Sequence, residues 1–322
     1  MTAGLHNAAR YAIWRLTALV ATLLAVSVIL FAAVEWLPGD PAQQILGINA
    51  TPERLDVLRE QLNLNDPVPV RYGRWLWSTL QGDLGESVRT NQSVAAIIAR
   101  PALNTAMLAL VAFVAITVVA LFLAALGGMR DGTKTSTLVS VTTLSAVSVP
   151  EFIIAGILIS VVGLELGWLP AVSLVPSEGT PLSRPEILVL PVISLSIVGG
   201  AYGARLIRAA VADAARMPHV QAARLAGLTE SRVLIRHLLP SAIPPSVQVL
   251  AFMVPFLVGG AVVVERIFAF PGLGSQLVDR IALRDAPVIE AIGLIQAATV
   301  IVGFQVADVV GFLASPERRT AG

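Results

Sequence analysis

Residues 102–126 of this 322-residue chain read ALNTAMLALVAFVAITVVALFLAAL and contain no charged side chain. A helix rises about 1.5 Å per residue, so about 20 apolar residues cross the roughly 30 Å hydrocarbon core of a bilayer. Five more stretches of similar character lie at about 16–36, 138–163, 187–207, 242–264 and 287–313. The pattern predicts an all-α membrane protein with six transmembrane helices.

The composition agrees with a membrane protein and excludes several kinds of chemistry. Hydrophobic residues make up 56% of the chain and charged residues 13%, whereas soluble globular proteins contain roughly 25% charged residues. The net charge of +1 provides no basic field that would hold nucleic acid. The chain has no cysteine, and its three histidines lie far apart. We therefore expect no catalytic residue, no metal site and no cofactor-binding site in this chain.

The distribution of basic residues favours an orientation with both termini in the cytoplasm. In this orientation the inside segments carry 12 Arg and Lys residues against four acidic residues, as is typical of short cytoplasmic loops. The chain then divides into a cytoplasmic N-terminus with the first helix (1–36), an external helical insertion (37–100), a five-helix core (101–313) and a cytoplasmic tail (314–322). A cleaved signal peptide is an alternative for the first segment, although its apolar run is longer than a signal usually has.

The external insertion is expected to contain two helices. Thr51-Pro52 is a favourable helix start, and a second helix is predicted over about 69–80. Trp75 and Trp77 in the second helix are interpreted as interfacial anchors or as core of this small cap. Stacking on a ligand is the alternative for these two side chains.

The inside segment 208–240 carries a spaced pattern of small and apolar residues. Its elements are Gln221-Ala222-Ala223, then three residues, Gly227, nine residues and His237-Leu238-Leu239-Pro240. The segment is polar and compatible with helix, and a glycine lies between its two halves. We predict two short helices that cross the membrane face.

This segment resembles the cytoplasmic Glu-Ala-Ala loop of ABC-importer permeases, which reads Glu-Ala-Ala, three residues, Gly, nine residues and Ile-x-Leu-Pro. Gln221 replaces the Glu and His237 replaces the Ile, while the remaining positions match. The resemblance implies a coupling helix that fits a groove on a cytoplasmic ATPase; the alternative is an ordinary basic loop with chance alanines. The implied coupling residues are Gln221, Ala222, Ala223, Arg224, Gly227, Leu239 and Pro240.

Further stretches are similar to the first permease subunit of dipeptide, oligopeptide and nickel importers, so the resemblance covers almost the whole chain. They are Leu37-Pro38-Gly39-Asp40-Pro41, Asp66-Pro67 to Arg71-Tyr72, Gly82-Asp83-Leu84-Gly85, Glu265-Arg266-Ile267-Phe268, Pro271-Gly272-Leu273-Gly274 and Arg284-Asp285-Ala286-Pro287-Val288. The tail from Ser315 departs from the usual ending of that branch.

The resemblance implies a subunit that forms half of a translocation path for peptides or similar small solutes in a bacterial cell membrane. Its implied partners are a second permease in a heterodimer, two cytoplasmic ATP-binding subunits, an external solute-binding protein and membrane lipid, with no nucleic acid. The chain has no Gly-x4-Gly-Lys-Ser/Thr phosphate loop. ATP and Mg²⁺ are therefore expected in the partner ATPases.

Glu151 and Asp308 are the acidic residues assigned to the membrane spans. A charge at mid-bilayer costs about 2.5–3.5 kcal/mol on insertion scales, so each is expected to face protein or water. Pro150 should kink the third span. Pro150 and Glu151 are candidates for the pathway or a gate, while a structural hydrogen bond to neighbouring helices is the alternative for Glu151. Asp308 is interpreted as interfacial and structural.

The same residues leave two alternative functional classes. An ion-coupled secondary transporter would use Glu151 as its titrating group and would transport without partner ATPases. No inverted repeat is evident for such a transporter. An intramembrane hydrolase lacks a serine with a histidine partner at membrane depth.

Small residues in the fourth and fifth spans indicate close helix packing. Gly199, Gly200 and Gly203 are expected to form one packing face of the fourth span. Gly259 and Gly260 in the fifth span are either packing residues or a hinge.

Overall fold

The computed structural model describes residues 2–36, 41–47, 50–61, 63–128, 133–176 and 178–314. Residues 37–40 of the 37–41 motif, Arg130 of the loop after α5 and the tail from residue 315 lie outside the described residues. Within the described ranges the chain forms helices and turns without a β-strand, and Glu86 and Ser93 make an isolated bridge. The all-α fold predicted from the sequence is confirmed.

The described part of the chain forms thirteen α-helices. They are α1 (Thr2–Glu35), α2 (Pro41–Leu46), α3 (Pro52–Gln61), α4 (Val68–Leu80), α5 (Val94–Gly128), α6 (Lys134–Ser148), α7 (Glu151–Ile157), α8 (Glu186–Ala215), α9 (Pro218–Leu225), α10 (Glu230–Val233), α11 (Leu239–Ile267), α12 (Leu273–Leu283) and α13 (Ala286–Ala314). π-helical turns extend α7 over Leu158–Glu165 and join α10 to α11 over Leu234–Leu238.

Five of the described helices are long and apolar enough to cross a membrane: α1, α5, α8, α13 and the helix that ends in α11. They match the spans expected at 16–36, 102–126, 187–207, 242–264 and 287–313, to within one residue at the end of the first. The third span, expected at 138–163, is not one continuous helix. Its two parts, α6 and α7, are bent by 95° at the break before Pro150, because proline has no N–H to donate and its ring clashes with the preceding turn.

Helix α8 lies at the centre of the bundle and packs against α5 and α11. Leu108, Leu195 and Leu257, one from each helix, are buried in the shared core. A Cβ atom on Gly199 would lie 2.7 Å from Ile116 Cδ1 and 3.1 Å from Phe256 Cε1, so a larger residue would displace these side chains where α8 approaches α5. The small-residue packing expected for the fourth span is confirmed.

The two helices expected in the insertion are present as α3 and α4. The ring of Trp75 lies 5.6 Å from that of Phe31 on α1 and 5.9 Å from that of Tyr72. The Tyr72 hydroxyl also lies 2.8 Å from the Ser27 hydroxyl. Trp75 therefore helps to dock α4 on the first span, whereas Trp77 is 66% exposed.

Asp308 forms an ion pair with Arg15, which connects α13 to α1. Arg15 also donates to the side-chain oxygen of Gln305 at 3.2 Å. The structural interpretation of Asp308 is confirmed. Glu265 in α11 and Glu290 in α13 are also buried, so these helices hold more acidic residues than the two that the sequence predicts for the spans.

Glu265 closes the end of the bundle at which α11 leads into α12, and we call this end the clasp face. Its carboxylate accepts hydrogen bonds from the backbone N–H groups of Gly274 (2.7 Å) and Ser275 (3.1 Å) and from the Thr105 hydroxyl (2.5 Å). Free N–H groups at a helix N-terminus attract a carboxylate, which explains why this acid is stable with no exposed surface.

A second buried carboxylate connects two of the quoted motif regions. Asp285 accepts from the Ser87 hydroxyl at 2.6 Å and from the Val88 N–H at 3.2 Å, and it pairs with Arg280 at 3.0 Å. These contacts join the turn after Gly85 to the end of α12. The motif stretches therefore fix the architecture of the clasp face.

Candidate functional site

The 208–240 segment forms a compact elbow at the other end of α11, which we call the loop face. Helix α8 continues to Ala215, and α9 begins directly after the turn at Arg216 and Met217. Val220 and Ala223 lie three residues apart on one side of α9 and are buried. They pack in a cluster with Ala214, Val233, Leu238 and Ala242. The inner side of α9 is thus fixed to α8, α10 and the start of α11.

Gln221 connects α9 to the end of α8. Its amide Nε2 donates to the Ala215 carbonyl at 2.8 Å, which satisfies one of the carbonyls left free at a helix C-terminus. An ionised glutamate is acceptor-only and could not make this bond. The departure from the family's Glu therefore has a structural use.

Gly227 ends α9 in a Schellman motif. Its φ angle is +75°, and its N–H donates to the Arg224 carbonyl at 3.0 Å while the Leu228 N–H donates to the Ala223 carbonyl at 3.3 Å. Leu228 and Ala223 also share the buried cluster, as this motif usually requires. Gly227 has a left-handed backbone conformation, which residues with a Cβ atom rarely adopt.

The outer side of α9 is exposed. Gln221, Ala222 and Arg224 are exposed, and Leu225 is 89% exposed. Arg224 Nε lies 3.3 Å from Glu230 Oε1 across the turn. Sequence reasoning missed Leu225, although its position, about 140° around the helix from Val220, indicates that it points away from the buried side.

Leu239 and Pro240 begin α11 next to this elbow. Leu239 is 37% exposed, while its neighbour Leu238 is buried in the elbow cluster. The π-helical turn before Pro240 accommodates a residue that lacks the donor of a regular helix. His219 Nε2 on α9 lies 3.1 Å from the Ser241 hydroxyl and 3.4 Å from the His237 carbonyl. The last part of the motif is therefore joined to α9.

Pro150 and Glu151 lie away from the elbow, at the break between α6 and α7. The Ser194 hydroxyl on α8 donates to the backbone carbonyl of Glu151 at 3.4 Å. The Glu151 carboxylate lies beside Gly260 of α11, where a Cβ atom would be 2.8 Å from Oε2. Among the described residues this carboxylate has no hydrogen-bond partner, so the link to α8 is made by the backbone alone.

Comparison with known proteins decides the family. A family model of the inner membrane component of binding-protein-dependent transport systems matches residues 116–320, and a model of the N-terminal part of such membrane components matches residues 8–110. The chain belongs to this permease family. The resemblance of the chain to ABC-importer permeases is confirmed.

Several curated relatives match the permease over most of their length. A putative peptide transport system permease protein of Brucella abortus is 34% identical over 86% of this chain and 88% of the relative. The oligopeptide transport system permease protein AppB of Bacillus subtilis is 32% identical over 96% of this chain and 98% of the relative. The glutathione transport system permease protein GsiC of Escherichia coli is 34% identical over 87% of this chain and 89% of the relative.

A solved structure shows the same fold. The crystal structure of an amino acid ABC transporter with histidines matches with a TM-score of 0.50 at 21% identity, over 70% of this chain and 94% of that chain. The family and the curated relatives show that the permease is a multi-pass inner-membrane subunit of an ABC importer and is not itself the ATPase. None of the three relatives is named as an ion-coupled transporter, so the alternative based on Glu151 has no support.

Proposed function

We propose that this permease forms half of a translocation path for peptides or similar small solutes that an external solute-binding protein delivers. The names of the peptide, oligopeptide and glutathione relatives support this class of cargo. The other half of the path is a second permease chain, and two cytoplasmic subunits bind ATP and Mg²⁺. The loop face then lies in the cytoplasm.

Helix α9 is the element through which the ATPases change the access of the path. The observation that carries this role is Leu225, which is 89% exposed on a helix whose other side is packed into the bundle. Docking would bury this leucine, with Ala222 allowing close approach and Arg224 supplying a polar contact.

The anchoring of α9 provides a route for the conformational change. Gln221 connects it to the end of α8, and His219 connects it to the start of α11. A displacement of α9 by a docked ATPase therefore acts on two spans together. Nucleotide drives the switch only if the ATPase binds the two states of the bundle with different affinity.

Pro150 and Glu151 belong to the path or its gate in this proposal. The bend before Pro150 brings the start of α7 against α8 and α11, and Gly260 leaves space for the Glu151 carboxylate. A partly buried acid without a hydrogen-bond partner among the described residues can exchange contacts at low cost when the helices move.

The test is replacement of Leu225 by alanine and by arginine. Burial of a leucine contributes about 1.5–3 kcal/mol, so we expect ATPase affinity to fall roughly ten- to a hundredfold and ATP-dependent uptake to fall with it. The measurements are co-purification of the ATPases and peptide uptake in proteoliposomes. Leu80→Ala is the matched control, because Leu80 is 71% exposed on α4. Normal ATPase binding and uptake by stably inserted Leu225→Arg would exclude α9 as the docking helix.

A further inference from the structure

A cavity of about 670 Å³ opens between α6 and the end of α8, beside the elbow. Its walls come from α6, α8 and α9, so it is bounded by two membrane helices and by the helix that crosses their ends. The residues at its wall that carry charge or bound its apolar side are Ser140, Leu144, Arg205, Arg208, Arg216 and Arg224.

The charge of this cavity is uniformly positive. Among the described residues, four arginines and no carboxylate line it: Arg205, Arg208, Arg216 and Arg224. Among the described residues, the one ion pair of these side chains joins Arg224 to Glu230, which is 76% exposed. Four guanidinium groups around one concave surface raise the local potential for an anion.

Arg208 is positioned by neutral groups. Its guanidinium bonds the Ser140 hydroxyl and lies 3.4 Å from the Ser136 carbonyl. These acceptors hold the side chain against α6 without cancelling its charge. Among the described residues, neither Arg205 nor Arg216 forms an ion pair, and both are exposed at the cavity.

One wall of the cavity is apolar and continues onto the outer surface of α6. Leu144 lines the cavity and is 52% exposed, and Leu138 and Val141 on the same helix are 66% and 56% exposed. A site with cationic groups at the membrane face and an apolar wall toward the bilayer matches the two ends of a phospholipid. Basic pockets between transmembrane helices bind acidic headgroups in this way.

We propose that this cavity binds a phosphate-bearing anion, through the forked N–H donors of Arg205, Arg208 and Arg216. Arginine recognises phosphate by paired, charge-assisted hydrogen bonds. The chemistry is shared by the headgroup of an anionic phospholipid and by a soluble phosphate ester. An anion held between α6, α8 and α9 would bias the position of the elbow.

The first test uses the full-length permease with its co-purifying subunits and no variant. The protein is placed in nanodiscs of phosphatidylcholine with increasing phosphatidylglycerol, or with glycerol 3-phosphate in phosphatidylcholine alone, and the thermal unfolding midpoint and retained lipid are measured. We expect a saturable rise with phosphatidylglycerol. A rise with glycerol 3-phosphate identifies a soluble ligand, and absence of a response to both overturns the proposal.

The second test locates the site. Arg205→Gln combined with Arg216→Gln should weaken the response at least tenfold, because two of the three proposed donors are lost while neither side chain is buried. The matched control is Arg74→Gln with Arg184→Gln, which removes two exposed arginines from the other end of the bundle. An equal response in the two double variants would place the anion elsewhere. Arg208→Lys, which keeps the charge, should weaken the response less than Arg208→Gln.

Discussion

Gly227 on the loop face lies in the turn after α9, and Gly274 on the clasp face lies in the first turn of α12, but different constraints select glycine at the two positions. At Gly227 the φ angle is +75° and nothing lies within 4 Å of the place where a Cβ would stand. At Gly274 the backbone is ordinary for any residue, but a Cβ would lie 2.5 Å from Val262 Cα and 2.9 Å from Glu265 Oε2. Gly227 is therefore required for its positive φ angle, and Gly274 is required because there is no space for a Cβ atom.

The difference reflects how each face is built. The clasp face is closed on itself, since Glu265 and Asp285 have no exposed surface and bond several segments of the chain. The loop face has a packed inner side and leaves Leu225 and most of the outer side of α9 open. The buried hydrogen bonds of the clasp face suit a rigid part of the protein. The exposed side of α9 suits a surface that a partner protein covers.

The largest loss of stability is expected for Glu265→Leu, which tests whether the hydrogen bonds of Glu265 on the clasp face are essential for folding. Three donors would lose their acceptor in a buried site, at about 1–3 kcal/mol each, so we expect a loss of about 3 kcal/mol or more. Thermal unfolding in detergent measures it. Glu165→Leu, at an exposed position, should be nearly neutral, and Glu265→Gln should recover part of the loss. Equal unfolding midpoints for the two leucine variants would contradict the role of the clasp.

An intermediate effect is expected for Gly274→Ala. The added methyl group meets backbone atoms of Val262, which cannot move aside as a flexible side chain would, so we expect a loss of about 1–3 kcal/mol in unfolding free energy. Gly259→Ala is the control, because nothing lies within 4 Å of that Cβ position in α11. Equal unfolding midpoints for Gly274→Ala and Gly259→Ala would contradict the steric explanation.

The smallest effect on stability is expected for Gly227, where an alanine costs about 1 kcal/mol through its positive φ. The effect on function should be larger, because Gly227 sets the direction in which the chain leaves α9. Uptake and ATPase stimulation should fall for Gly227→Val and be largely kept for Gly227→Asn, since asparagine tolerates the left-handed region. Equal uptake by the asparagine and valine variants would show that conformation is not what this position requires.

Several elements were predictable because their physical cause is local. The apolar runs predicted all of the continuous spans found among the described residues. Pro150 indicated the break in the third span, and Thr51-Pro52 indicated the start of α3. The spacing around Gly227 also gave the elbow, since a glycine between two helical segments is a local signal for a left-handed turn.

Other features depend on contacts between distant parts of the chain. Nothing near Glu265 in the sequence indicates Thr105, which lies 160 residues away, and Asp285 meets Ser87 at a separation of 198 residues. Each acid has an arginine as its neighbour in the sequence, and such a neighbour does not indicate burial. Their burial follows from N–H and hydroxyl donors that only the folded bundle brings together.

The sequence by itself determined that this is a helical membrane protein and where the elbow lies. The reason is that apolar runs, proline and glycine affect the conformation of residues close to them in the sequence. The tertiary structure decided which carboxylates are buried, which side of α9 is open and that four arginines share one cavity. Those properties depend on how helices pack against one another, and packing joins residues that no local pattern connects.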